Sequence, residues 1–315
     1  MSSRGEMTNP GFAREGKSSE NEIEQEIADL ERQLATAKAK RNTGSQPSEL
    51  NHLTTPSPAA LQLSPVPTSA NHFLLLLSDS ALPLGSFAFS SGLESYLAHT
   101  KAGFHGPSHP PATSPAPFAA FLPLSVSAYA STTLPFVLAA HRNPSTASLA
   151  ALDDALDATI ICTVGRRSSV AQGRALLSIW ERSLSAALPP AAGAALQPFS
   201  ALLKNPQRWD PPPVSAHLAP LFGAIGRLAG LGPEQTAYVF MLGHVKALVS
   251  AAVRAGMFGP YQAQKTLAGA GVQGLVAGMV EREWATPVEK AGQCVPVMDL
   301  WFGRHEVLYS RIFNS

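Results

Sequence analysis

Cysteine is almost missing from this sequence. The two that occur, Cys162 and Cys294, cannot build a disulfide framework, which points to a reducing compartment and a cytoplasmic location. Charge is scarce as well: 14% of residues are Asp, Glu, Lys or Arg, against ~25% in ordinary globular chains. With a formal net charge of +1 the chain lacks the basic field that nucleic acid demands, so no nucleic-acid partner is expected. The first forty residues are charged and contain no apolar h-region, so no secretory leader is expected there. Strand-like alternation is nearly absent, which argues against a sheet architecture.

Several chemical signatures are missing too. No G-x-S-x-G elbow accompanies Ser78, Ser80, Ser86, Ser90 and Ser91, and no strand pattern precedes them. No G-x-x-x-x-G-K-[ST] loop is there to cradle a nucleotide phosphate. Nine histidines are scattered without an H-x-H, C-x-x-C or H-E-x-x-H pairing, so no metal site of the chain's own is expected. Between Ala102 and His141 there is no Asp, Glu, Lys or Arg. A membrane span needs about 20 predominantly apolar residues. Prolines such as Pro123 and Pro135, with frequent Ser and Thr, make this stretch read as too polar and interrupted, so no membrane is expected.

What is present is helical. Residues 1–70 read as a disordered arm carrying a short charged helix at about 19–41. In that helix Ile23, Ile27, Leu30 and Leu34 share a stripe, with acids early and Lys38, Lys40 and Arg41 late. Ser, Thr and Pro dominate the following linker. The folded domain is expected over 71–315, with a Pro-rich disordered insertion at about 101–117. Gly232-Pro233 and Gly259-Pro260 mark helix starts, and Gly256 sits where a C-terminal glycine cap belongs. Helical spacing is also clear from about Arg166 to Leu184, Leu149 to Thr163 and Val214 to Ala229. The expected fold is an all-α single helical-bundle domain.

Within this low-charge domain the polar residues form stripes. Arg167, Arg174 and Glu181 repeat every seven residues, and Lys246, Ser250 and Arg254 every four. Each stripe reads either as a solvated face or as polar contact with a partner protein, where Arg favours bidentate pairing. The chain's last residues keep Tyr309 and Phe313 four apart with Arg304, His305 and Arg311 interleaved. Such residues are common binding anchors, or they fix a tail packed back on its own core. Upstream, Ser78, Asp79 and Ser80 can stop a helix, and Pro83 and Gly85 can fix a turn. Phe87 and Phe89 are then expected to return the chain to the core, and Leu93, Tyr96 and Leu97 to begin the next helix.

These segments resemble the urease accessory protein UreF family. "LLLLSDSALPLGSFAFSSGLESY" is similar to its N-terminal signature through Ser78, Asp79, Ser80, Pro83, Gly85, Phe87, Gly92 and Glu94. "RRSSVAQGRALL" is like its arginine helix, "SAAVRAGMFGPYQAQKTL" like its Gly- and Gln-rich turn, and "RHEVLYSRIFNS" like its C-terminus. The resemblance covers about 72–315. It implies an all-helical, non-catalytic homodimer set between a UreD/UreH-type scaffold and the GTPase UreG. That assembly delivers nickel to the urease apoprotein, and no cofactor is bound directly by a UreF-type chain.

By the same resemblance, Tyr309, Ser310, Arg311, Phe313 and Ser315 would bind the scaffold. Arg167, Gln172, Arg174, Lys246, Ser250 and Arg254 would form a GTPase-binding or dimer face. Two departures stand out: "TKAGFHGPSHPPATSPAP" intrudes after the first signature, and Ser86 replaces a glycine, so it must tolerate positive φ or the turn must differ. Two other readings remain open: a serine-dependent hydrolase using the Ser78–Ser91 loop, and a generic helical interaction module served by the N-terminal helix.

Overall fold

The computed structural model describes residues 25, 27–33, 35–36, 70–101, 115–204 and 213–314. It divides the chain into two units, Met1–Gln62 and Leu63–Ser315. In the first, the described residues between 25 and 36 are helical, with Ile27 and Leu30 exposed. Ile23, Leu34, the linker at 42–69 and most of the insertion, 102–114, lie outside the described residues, and so do the expectations about them.

Among its described residues the second unit holds twelve α-helices and no strand, as an all-α chain should. In chain order they are α1 (Ala70–Ser78), α2 (Leu93–Lys101), α3 (Pro115–Arg142), α4 (Thr146–Thr159), α5 (Thr163–Arg182) and α6 (Pro190–Ala194). There follow α7 (Gln197–Lys204), α8 (Leu218–Leu228), α9 (Pro233–Arg254), α10 (Pro260–Ala268), α11 (Ala270–Glu283) and α12 (Val297–Arg304). Four short 3-10 turns join them at Ser86–Ala88, Leu184–Ala187, Val288–Lys290 and His305–Val307.

Two expectations about α3 are corrected. The sequence pattern puts the insertion at 101–117, but Lys101 ends α2 and residues 115–117 already belong to α3, since a helix tolerates Pro in its first turn. Nor do Pro123 and Pro135 interrupt the helix. Pro135 has no N–H to give the Ser131 carbonyl, and the backbone N–H of Gly292 takes that place at 3.0 Å. Thr132 and Thr133 hydroxyls donate to the carbonyls of Ala128 and Tyr129 one turn back. Ala116–Arg142 is therefore long and apolar enough to cross a membrane, but 72% of its most apolar window is buried inside the protein. It is a core helix whose apolar surface other helices cover.

Helix α8 lies at the centre, packed by α3, α5, α9 and α4, and every residue from Leu218 to Gly226 is buried. Glycines make this possible. A Cβ on Gly223 would sit 2.1 Å from the Val137 carbonyl of α3, and one on Gly226 would meet Thr236 of α9. A Cβ on Gly173 of α5 would sit 2.1 Å from the Ala216 carbonyl. Helical spacing starts at Val214, yet the segment before α8 is irregular, with Ala216 at φ 67°. The cause is Asp153, a buried α4 carboxylate that accepts the N–H groups of Ser215, Ala216 and His217 at 2.5, 3.1 and 2.6 Å. Those donors are withdrawn from helix formation.

Helix α9 starts and stops as its sequence foretells. Pro233 opens it, Glu234 lies in its first turn, and Gln235 accepts the Gly232 N–H at 3.0 Å. At its end Gly256 has φ 74°, with Met257 N–H bonded to Ala252 and Gly256 N–H to Val253, the Schellman arrangement.

Replacing Gly173 with Ala should destabilise the protein by about 3 kcal/mol, because backbone rather than a flexible side chain blocks the new methyl group. Gly274→Ala, on the open surface of α11, should be neutral or stabilise by about 0.5–1 kcal/mol. Urea unfolding of the two variants checks this, and equal costs would contradict the packing argument.

Candidate functional site

The sequence signatures meet at one junction. Its floor is the turn after α1. Ser78 ends that helix and its hydroxyl donates to the Leu75 carbonyl at 3.0 Å, while Asp79 accepts the Ala81 N–H at 2.9 Å. Gly85 takes φ 73° and carries the positive φ on its own; Ser86 follows as the first residue of a 3-10 turn. Ser91 and Gly92 take φ 50° and 83° and lead into α2. A Cβ on Gly92 would meet that of Trp301 at 3.3 Å, so α12 approaches closely here. Phe89 is buried, but Phe87 is 65% exposed, contrary to the expectation that both enter the core. The 3-10 turn advances about 120° per residue, so positions two apart do not share a face as they would in a strand.

Helix α9 grips this turn. Lys246 donates to the Ser78 carbonyl and Arg254 to the Phe87 carbonyl, with the Arg254 guanidinium 6.0 Å from the Phe87 ring centroid. Ser250 stands exposed between them on the same stripe. A solvated face therefore fits Ser250, whereas its neighbours fasten the opening turn.

The C-terminal segment completes the junction. Glu94 of α2 accepts His305 Nε2–H at 2.8 Å, the Ile312 N–H at 2.7 Å and the Phe313 N–H at 3.3 Å. The Asn314 N–H donates to the Ala88 carbonyl at 2.7 Å, and the buried Phe313 ring lies 4.3 Å from the Arg254 guanidinium. Arg167 of α5 pairs with Glu306, holding that carboxyl below its ordinary range. Arg311 adds a looser contact with Glu306 at 3.7 Å. Tyr309 and Ser310 are exposed, while Ser315 lies outside the described residues. Of the residues expected to bind the scaffold, then, Phe313 faces inward and Tyr309 outward.

Beneath the turn is a cavity of about 210 Å³ among α3, α5, α9 and α12. Ser78, Asp79, Ser80, Gln172, Lys246 and Ser250 all line it, so residues from three signatures share one space. Gln172 donates to the Ser168 hydroxyl at 3.0 Å. Arg174 is not among the lining residues; its guanidinium donates to the Ser215 carbonyl at 3.1 Å. At the cavity wall Tyr129 and His244 stack at 3.9 Å, and His244 Nε2 meets the Ser125 hydroxyl at 3.1 Å. Burial pushes the His244 imidazole down to about 3, so it stays neutral at ordinary pH.

Sequence reasoning missed Asp153 and a second buried link. His217 meets Ser169 through Nδ1 at 3.0 Å and Asp157 through Nε2 at 2.9 Å. These residues tie α4, α5 and the start of α8 together, and no motif spacing announces them. Among the described residues, no group of three or more His, Cys, Asp or Glu side chains is placed to hold a metal ion.

Residues 112–271 match the family model of UreF. The chain belongs to the UreF family. It is 36% identical over 244 residues to an uncharacterized UreF-like urease accessory protein of Schizosaccharomyces pombe, covering 78% of this chain and 97% of that one. To urease accessory protein F of Oryza sativa subsp. indica it is 31% identical over 242 residues, covering 75% and 82%. To that of Arabidopsis thaliana it is 31% identical over 245 residues, covering 76% and 90%. The UreF family match spans α3 to α10, while the opening turn and the C-terminal segment flank it on either side.

The buried His244 gives a pH signature. Its folded value lies below the unfolded value of about 6.5, so the unfolded chain takes up the proton first as pH falls. Stability is complete above about 6.5 and is lost by ~1.4 kcal/mol per pH unit between there and about 3. Urea unfolding at pH 7 and pH 5 should show wild type losing about 2 kcal/mol more than His244→Gln. Equal losses would show that His244 is not held neutral.

Proposed function

We propose that this UreF-family chain is a non-catalytic adaptor in nickel delivery, joining a UreD/UreH-type accessory protein to a UreG-type GTPase during maturation of the urease apoprotein. The coarser part follows from the family: a urease accessory protein, not an enzyme. The observation that supports the finer part is how the signature residues spend their polar groups. Lys246, Arg254 and Glu94 bind backbone carbonyls and N–H groups of the opening turn and the C-terminal segment, and so shape a surface. A metallocentre-assembly chaperone works through such surfaces. The serines of the Ser78–Ser91 loop fit that role better than attack on a bond: Ser78 donates to its own helix.

In this reading the outward C-terminal residues around Tyr309, Ser310 and Arg311 meet the scaffold. Arg167, Gln172, Arg174, Lys246, Ser250 and Arg254 serve the GTPase-binding or dimer face. The chain acts as a homodimer in the cytoplasm and binds no cofactor of its own, with nickel as cargo of the complex.

Co-purification tests the adaptor role. Mixed with a UreD/UreH-type protein and nucleotide-loaded UreG, the full chain should elute with both in one complex. Failure to associate with either protein would overturn the reading.

A further inference from the structure

The adaptor role gives the cavity beneath the opening turn no task. At about 210 Å³ it exceeds the roughly 150 Å³ apolar cavity known to take up benzene, so it has room for about nine non-hydrogen atoms. Small residues of α9 keep it open. Gly243, Ala247 and Ser250 all line it, and a Cβ on Gly243 would meet nothing within 4 Å. Four other lining residues, Asp79, Ser80, Phe87 and Ile161, are exposed and mark its mouth.

The inner wall is aromatic. Tyr129 stacks on Phe240 at 5.2 Å as well as on His244, and Phe222 packs on Phe240 at 5.3 Å. All four rings line the cavity. Two polar groups of this wall have no partner among the described residues. One is the Tyr129 hydroxyl; the other is Nδ1 of His244, a residue only 9% exposed whose Nε2 meets Ser125. Buried polar groups are hydrogen-bonded as a rule, because leaving such a bond unmade is costly. Burial holds the Tyr129 phenol well above its ordinary value and His244 well below, so both stay uncharged. The charged lining residues are engaged with the protein itself. Asp79 accepts the Ala81 N–H, Lys246 donates to the Ser78 carbonyl, and Asp299 accepts the Gln293 amide at 3.2 Å.

We propose that this cavity is a binding site for a neutral, planar heteroaromatic molecule of bicyclic size, bearing one hydrogen-bond donor and one acceptor. Its face lies along the rings of Phe222, Phe240 and Tyr129, and its polar edge meets the Tyr129 hydroxyl and His244 Nδ1. Apolar walls with a few convergent polar groups are how small-molecule sites are commonly built. A hydrocarbon of the same shape would fill the space yet leave both groups unpaired, so the site selects by hydrogen bonding as well as by size. An ion would lose its hydration without gaining a free counter-charge. The site belongs to a single chain and does not depend on the adaptor role.

The test titrates the full chain near neutral pH with two probes, followed by ligand-observed NMR. Benzimidazole carries one N–H donor and one ring-nitrogen acceptor; indene is its hydrocarbon isostere. Benzimidazole should bind with a Kd on the order of 0.1 mM, and indene about tenfold more weakly. Tyr129→Phe removes only the unpartnered hydroxyl, so folding should be unaffected. It should weaken benzimidazole about fivefold and leave indene within about twofold. Gly243→Leu fills the open space with a better helix former, so helix content should be retained while both probes lose about tenfold or more.

Equal affinity for the two probes would overturn the polar recognition, and so would undiminished benzimidazole binding by Tyr129→Phe. Unchanged binding by a folded Gly243→Leu would overturn the location of the site. Should that variant not fold, Tyr129→Phe still decides. If the wild-type chain binds no benzimidazole at about 5 mM, the site falls while the adaptor role, tested by co-purification, stands apart.

Discussion

Backbone must touch backbone around α8, and the remaining architecture follows from that constraint. Gly173, Gly223 and Gly226 leave out the side chains that would hold α5, α3 and α9 away from the central helix. Dispersion and burial then act over interatomic distances that bulkier residues would not permit. Once α5 and α9 are placed this closely, their outer edges face the turn after α1 and the chain's last residues. The junction of signatures is thus a consequence of packing several residues away from it.

The scarcity of charge also has a structural meaning. Irregular segments cannot satisfy their own backbone groups as helices do. Several of this chain's few ionised side chains supply the missing partners. Asp153 serves residues 215–217, Lys246 and Arg254 serve the opening turn, and Glu94 serves residues 312–313. Charge-assisted hydrogen bonds to backbone are stronger than neutral ones. A handful of them can therefore fix the irregular segments that join the helices.

The helices and their caps were legible in the sequence because local chemistry governs them: Pro233, Glu234 and Gly256 mark the ends of α9 within its own few residues. So was the family, through four separated segments. Their mutual geometry was not, because Glu94 and Phe313 lie more than two hundred residues apart and no periodicity relates them. The prolines of α3 misled for a related reason. Local rules treat Pro135 as a breaker, yet a tertiary partner, Gly292, satisfies the carbonyl it leaves free. Asp153 was invisible since one acid in "LDDAL" looks like any solvated helix position until α8 is packed against it.

Sequence separation gives the Glu94 carboxylate a kinetic side. Its donors, the Ile312 and Phe313 N–H groups, lie 218 and 219 residues further along the chain. The entropy of closing a loop grows with its length, and contacts between distant residues slow folding. The helices between can form their local hydrogen bonds first, so the junction closes as a late step that depends on a helical body already in place.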